Sequence, residues 1–269
     1  MIGVFDSGVG GLSVWREIVR ELPDVPTLYV ADQAHVPYGP RPLEEVRRFA
    51  EGITRFLLAQ GATVVVLACN TASAAALRYL RAVFPQVPFV GMEPAVKPAV
   101  QRTRNGRVGV IATPATFQGE LFASLLERFA RDVRVIPQVC PGLVEAVEDG
   151  ALDAPETEAL LRTCLTPLLE AGIDELVLGC THYPFLRPLM ERIVGPGVEI
   201  VDPAPAVARQ VRRVLENCSA GYQPAPPTFY TTGDPARFAS ALERLVGVEA
   251  EVRSLCWEGD DLRCVKRKT

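Results

Sequence analysis

Two cysteines stand out by their surroundings. Cys69 closes an apolar run that starts near Ala62, and is followed by Asn70-Thr71 and small residues from Ala72 to Ala76. Cys180 closes a second run, Glu175 to Gly179, and is followed by Thr181-His182. A cysteine between a strand and the first turn of a helix meets unsatisfied backbone N–H groups, which can lower a thiol pKa from about 8.5 to roughly 3.5–7.5. Burial opposes that shift, and the sequence leaves the sign open. Two thiols in equivalent contexts suit one reaction in particular: one removes a proton from a tetrahedral carbon while the other delivers a proton from the opposite face, inverting the stereocentre. In each direction one must be thiolate and the other thiol, which two groups sharing a proton supply. Taken singly, each would be read as a buried structural thiol, a common fate of free cysteine.

The two contexts belong to a longer repeat. Gly3-Val4-Phe5-Asp6-Ser7 matches Gly109-Val110-Ile111-Ala112-Thr113, the segment Val66 to Thr71 matches Val177 to His182, and Val90 to Ala95 matches Ile200 to Ala204. Any two α/β segments share apolar strands that run into polar turns, so one match carries little. Three in the same order indicate a duplicated chain.

The elements that must position these residues follow from hydrophobic patterning. Strands are expected at Ile2–Phe5, Thr27–Val30, Thr63–Ala68, Phe89–Gly91, Val108–Ala112, Val133–Ile136, Glu175–Gly179 and Glu199–Val201, with helices such as Leu12–Leu22 and Leu43–Leu58 between them. This alternation predicts an α/β fold with two pseudo-symmetric parallel-sheet domains. Ligands of such sheets bind beyond the carboxyl ends of strands, so the active site is expected in the cleft between the domains. The first domain, carrying Cys69, is placed at residues 1–96 plus 206–269, and the second, carrying Cys180, at 97–205. The proline-rich Gln223–Pro227 stretch reads as a loop.

Other residues at the strand ends could complete a site. Asp6 and Ser7 lead into Gly8-Val9-Gly10-Gly11, where backbone N–H groups can approach a carboxylate or phosphate. A G-x-G-x-x-G frame begun at Gly8 ends at Ser13, so this is no dinucleotide fingerprint. Asp32 and Pro37-Tyr38-Gly39 form a second turn, with a hydroxyl on Tyr38. His182 is near enough to Cys180 to orient or protonate it, and Glu148, on an expected short helix, could polarise that histidine; Glu145 competes for the role.

Composition removes several classes. The net charge of −4 gives no basic footprint for nucleic acid. No apolar stretch is long enough for a bilayer and the start has no signal-peptide pattern, so no membrane partner and a cytoplasmic location are expected. Seven cysteines without a CxxC pair argue against a disulfide framework, so most are expected reduced; with only two histidines, no metal site is expected. A pyridoxal-phosphate enzyme needs an internal lysine, and of Lys97, Lys266 and Lys268 only the first lies outside the C-terminal tail. A cysteine phosphatase needs arginine six residues after its nucleophile, where Ala75 and Leu186 stand.

The motifs FDSGVGGLSV, PYG, ACNTASA and GCTHYP together closely resemble those of the glutamate racemases, within the aspartate/glutamate racemase superfamily, and the resemblance spans nearly the whole chain. It implies cofactor-independent 1,1-proton transfer on glutamate as the small-molecule partner, and supply of D-glutamate for peptidoglycan. Position by position it implies Cys69 and Cys180 as the catalytic pair, with Asp6, Glu148 and His182 as auxiliary acid–base or orienting groups. Ser7, Tyr38, Gly39, Asn70, Thr71 and Thr181 are implied to hold the amino acid together with Asp6 and His182, and Thr113 and Thr116 to complete its carboxylate contacts. The chain departs from the pattern at His35, where arginine is frequent, and at Pro203, where a small hydroxyl residue is usual. Racemisation of aspartate or another small acidic amino acid, or a two-lobed protein that binds an acidic metabolite without catalysis, remain alternatives. A homodimer stays open.

Overall fold

The apolar runs become strands at their expected places: β1 (Ile2–Asp6), β2 (Thr27–Ala31), β3 (Val64–Leu67), β4 (Phe89–Val90), β5 (Arg107–Ala112), β6 (Arg134–Val139), β7 (Glu175–Gly179) and β8 (Glu199–Val201). β1, β3 and β7 are buried along their whole length, as strands covered on both faces by helices must be. The structure, a computed structural model, describes residues 1–118, 120–216 and 223–265. Cys218, Lys266 and Lys268 lie outside the described residues.

The strand order repeats. One sheet contains β2-β1-β3-β4 and the other is β6-β5-β7-β8, all parallel. Substituting β5–β8 for β1–β4 gives the same order, so the internal match seen in the sequence is a match of topology. β3 and β7 hold equivalent places, and the cysteines follow their carboxyl ends. A continuous apolar cluster includes Val4 and Val66 of the first sheet with Leu176 and Leu178 of the second.

The helices bury the faces their periodicity marks. Leu12–Glu21 turns Leu12, Val14, Trp15 and Ile18 inward, and Leu43–Ala59 turns in Val46, Ala50, Ile53, Phe56 and Leu57. No helix among the described residues is long and apolar enough to cross a membrane.

The first sheet is larger than the duplication predicts. β9 (Thr228–Thr231) pairs with β2, β10 (Val252–Glu258) pairs with β9, and β11 (Asp261–Cys264) returns antiparallel to β10. The hairpin closes over Gly259-Asp260, with Gly259 at φ +63°, the glycine a type II′ turn takes at its first central position. Gln223–Pro227 is irregular, as expected.

The expectation of mostly reduced thiols holds for four described cysteines, while Cys140 and Cys164 are paired, with Cα atoms 5.4 Å apart. Spacing gave no sign of this pair, which joins a strand end to a distant helix.

Gly52, inside Leu43–Ala59, faces the C-terminal hairpin: a Cβ there would fall against the Asp260 carbonyl oxygen and lie 2.7 Å from the Trp257 ring. Replacing a helical glycine by alanine ordinarily gains up to about 1 kcal/mol, whereas overpacking against backbone costs typically 1–3 kcal/mol. Gly52→Ala is therefore expected to lower the urea midpoint. A higher midpoint would mean that the hairpin yields freely.

Candidate active site

Cys69 is the N-cap of the helix Asn70–Val83. Its backbone is extended (φ −144°, ψ 123°), and its Sγ accepts from the Ala72 N–H at 3.4 Å. This is the position expected from the sequence. Burial and the neighbouring Asp6 carboxylate nevertheless push the Cys69 thiol well above its usual range, against the N–H groups of Ala72 and Ser7. Cys69 therefore rests as a thiol and needs a base.

Cys180 was expected to share that context and does not. It is followed by a single 3₁₀ turn, Tyr183–Leu186, before the helix Arg187–Val194. Pro188 has no N–H to bond the carbonyl of Pro184, so an α-helical ladder begun at Tyr183 cannot run on, and the Tyr183 N–H turns to the Cys180 carbonyl at 3.2 Å. A side chain takes the place of helical N–H groups: His182 Nδ1 lies 3.7 Å from Cys180 Sγ. The opposite nitrogen, Nε2, lies 2.7 Å from Glu148 Oε1. Burial disfavours the His182 cation, but the Cys180 sulfur and the Glu148 carboxylate together hold its pKa well above the usual imidazole value. As the imidazolium it can donate at both nitrogens. Burial likewise works against charge on Glu148, yet His182, Gln33 and the Val9 N–H hold its pKa below the usual value.

The glycine loop explains how this pair is seated. Glu148 Oε1 accepts from the Val9 N–H at 2.8 Å, so the anion in the loop is the protein's own carboxylate. A Cβ on Gly8 would fall on Glu148 Oε1, and one on Gly10 would fall on the His182 ring. Glycine is needed at both because side chains of the second half lie directly on this backbone. Gly142, at φ +82°, begins the short helix Leu143–Glu148 that carries the glutamate across. Glu148, not Glu145, meets His182.

Asp6, at the end of β1, is fully buried; it accepts from the Gly8 N–H at 2.8 Å and from Thr181 Oγ1 at 3.0 Å. Burial raises its pKa to about 6, with His182 and the Gly8 N–H pulling the other way. Such a carboxylate can take or return a proton near neutral pH.

One cavity is lined by Cys69 and Cys180 together with Ser7, Tyr38, Gly39, Asn70, Thr71, Thr113, Thr181 and His182, all expected from the sequence. Thr71 Oγ1 lies 2.9 Å from Thr113 Oγ1, which lies 3.0 Å from Thr116 Oγ1, so a hydroxyl chain crosses the cleft with Thr116 behind the wall. Asp6 and Glu148 also stand behind it. Asn70 is buried with neither amide oxygen nor nitrogen hydrogen-bonded, a costly arrangement that a ligand with both donor and acceptor groups would relieve. The cavity measures about 10 Å³, smaller than an amino acid.

A family model described as Asp/Glu/Hydantoin racemase matches residues 2–211. The chain belongs to this family. Glutamate racemase of Ectopseudomonas mendocina (strain ymp) is 54% identical over 253 residues, covering 93% of this chain and 96% of the relative. The crystal structure of Escherichia coli glutamate racemase in complex with L-glutamate and the activator UDP-MurNAc-ala superposes with a TM-score of 0.87 at 31% identity, covering 96% of this chain and 98% of that one. Glutamate racemase from Francisella tularensis in complex with D-glutamate gives a TM-score of 0.81 at 30% identity, covering 93% and 95%.

Beside these racemase motifs, several residues that the sequence reading did not single out shape the site. Val144 lines the cavity, beside Pro37 and Gly179 of the motifs already named. Ser13 Oγ lies within bonding distance of Gly10 O (2.8 Å) and of Thr181 O across the cleft (2.9 Å). Tyr29 donates to Gly8 O at 2.8 Å from within a strand where it looks like ordinary core. Ser13 had a visible signal, a polar residue on the buried face of an amphipathic helix. His35 and Pro203, the departures from the family pattern, do not line the cavity.

Because folding raises Asp6 from 3.8 to about 6, the stability of its protonated form is present below about pH 4 and lost as pH rises through 6. Above that, the buried charge is a net cost of order 1–3 kcal/mol. Asp6→Asn is expected to raise the unfolding midpoint at pH 8, leave it nearly unchanged at pH 4, and reduce turnover strongly. A lower midpoint at pH 8 would contradict the raised pKa.

Proposed function

We propose that this protein interconverts L- and D-glutamate by proton transfer between two cysteines, without a cofactor. The thiolate of one cysteine takes the α-proton, and the thiol of the other returns a proton to the opposite face of the planar carbanion. One C–H bond breaks and one forms, and the two sulfurs exchange protonation states. Asp6 takes the proton of Cys69, and His182, held by Glu148, serves Cys180. In the reverse direction the same groups trade roles.

The observation that carries this reading is the placement of two buried, unpaired thiols on one cavity, each supplied by an equivalent strand of a duplicated fold and each backed by its own acid–base group. Asn70, Thr71, Thr113 and Thr181 offer the donors that would hold the substrate carboxylates and stabilise charge as it spreads from the α-carbon. Glutamate is favoured over aspartate because relatives 54% identical to this chain are named for it, and because similar structures were solved with L-glutamate and with D-glutamate. A protein that merely bound an acidic metabolite would have no use for two such thiols. The product D-glutamate would serve peptidoglycan synthesis in the bacterial cytoplasm.

Purified protein given L-glutamate should drive the optical rotation to zero. Cys69→Ser and Cys180→Ser should each lose at least about 10²-fold in kcat, since an alcohol is a far weaker base at neutral pH. Rotation that stays constant in the intact protein would remove the racemase reading. Activity that survives both substitutions would remove the mechanism alone.

A further inference from the structure

Asp32 is a fully buried carboxylate that the proton transfer does not use. Four side chains converge on it. Tyr38 OH lies 2.6 Å from Oδ2, His35 Nδ1 2.9 Å from the same oxygen, Thr232 Oγ1 2.8 Å from Oδ1 and Trp257 Nε1 2.8 Å from Oδ1. Tyr38, Thr232 and Trp257 donate to it, so the hydroxyl proton of Tyr38 is committed to Asp32. Its backbone is also held, with the Asp32 N–H donating to Asp6 O at 3.0 Å.

These donors come from different parts of the chain. Tyr38 and His35 belong to the turn that follows β2, Thr232 follows β9, and Trp257 sits on β10. Tyr38 lines the cavity with the two cysteines; Trp257, Thr232, His35 and Asp32 do not. The His35 ring stacks on Phe49 at 3.9 Å between centroids and meets Trp257 edge-on at 5.4 Å, so the indole is held by packing as well as by its N–H. Gly52 admits the hairpin close enough for Trp257 to reach inward.

We propose that Asp32 is a positioning residue for the substrate site, and that Trp257 acts through it: the C-terminal hairpin sets the place of Tyr38 in the cavity. β9 to β11 have no counterpart in the second sheet, and this gives the added strands a task. A buried carboxylate with its donors in place is rigid, while one left short of a donor shifts toward water or new partners and carries Tyr38 with it. The inference rests on the proposed function only in taking the cavity of the two cysteines as the substrate site.

The test compares Trp257→Phe, Tyr38→Phe and the double variant, with KM and kcat for glutamate measured on the whole chain. Phenylalanine keeps an aromatic ring at 257 and removes the N–H donor. Trp257→Phe should raise KM roughly threefold and Tyr38→Phe roughly tenfold, the two corresponding to about 0.7 and 1.4 kcal/mol of binding. Trp257→Phe should keep kcat within about threefold, because no group that touches substrate or carries the proton is changed. The double variant should match Tyr38→Phe alone, since Trp257 acts through the bond that Tyr38→Phe removes. A wild-type KM in Trp257→Phe, or losses that multiply in the double variant, would overturn the proposal. So would a common fall in kcat and stability with KM unchanged, the mark of a purely structural role. A readout independent of turnover is the indole N–H resonance of Trp257, one of two tryptophans, which Tyr38→Phe should shift. An intact protein that fails to racemise glutamate would sink the functional reading, while that resonance would still decide whether Tyr38 and Trp257 are linked.

Discussion

The structure depends on one contact across the cleft, the seating of Glu148 and His182 on the glycine loop of the first sheet. Glu148 Oε1 receives the Val9 N–H at 2.8 Å and lies 2.7 Å from His182 Nε2. The contact is possible only because Gly8 and Gly10 have no Cβ. A carboxylate brought from the second half thereby satisfies a backbone donor of the first, fixes a histidine against the second cysteine, and brings the two strand ends together. The same carboxylate holds Gln33, which is held in turn by Thr231. A buried anion with this many donors is stable, and removing any one leaves the others to bear an uncompensated charge.

Duplication supplied two equivalent strand ends, but the cysteines there are served differently. Cys69 has backbone N–H groups at a helix cap and the buried Asp6 nearby; Cys180 has an imidazolium within reach. Substrate enantiomers present the same groups to the site in mirror-related ways, so a site that handles both needs equivalent proton donors and not identical ones.

Much of this was legible in the sequence because parallel strands buried on both faces write themselves as apolar runs. β1 to β8 could be placed, and the repeated motifs correctly marked equivalent strands. The C-terminal strands were not read, since β10 (VRSLCWE) is mostly half exposed and β9 has only four residues after a run of prolines. At the site, the residue types were visible and their partners were not. Glu145 and Glu148 stand three apart on one short helix, and only docking onto the Val9 N–H selects between them. The glycine loop announced an anion without saying that the anion would be part of the protein. Pro188 carried the information that Cys180 is not followed at once by a regular helix, masked by the likeness of its flanking residues to those of Cys69.

In the proposed mechanism two opposed thiols, and not one, move the proton. Running the reaction on L-glutamate in heavy water to low conversion and separating the enantiomers distinguishes the two cases. Two bases predict D-glutamate carrying solvent deuterium at the α-carbon while the recovered L-glutamate keeps its original hydrogen. D-glutamate that retains the substrate hydrogen, or L-glutamate that gains deuterium as fast as product forms, would show a single base serving both faces and exclude the two-thiol mechanism.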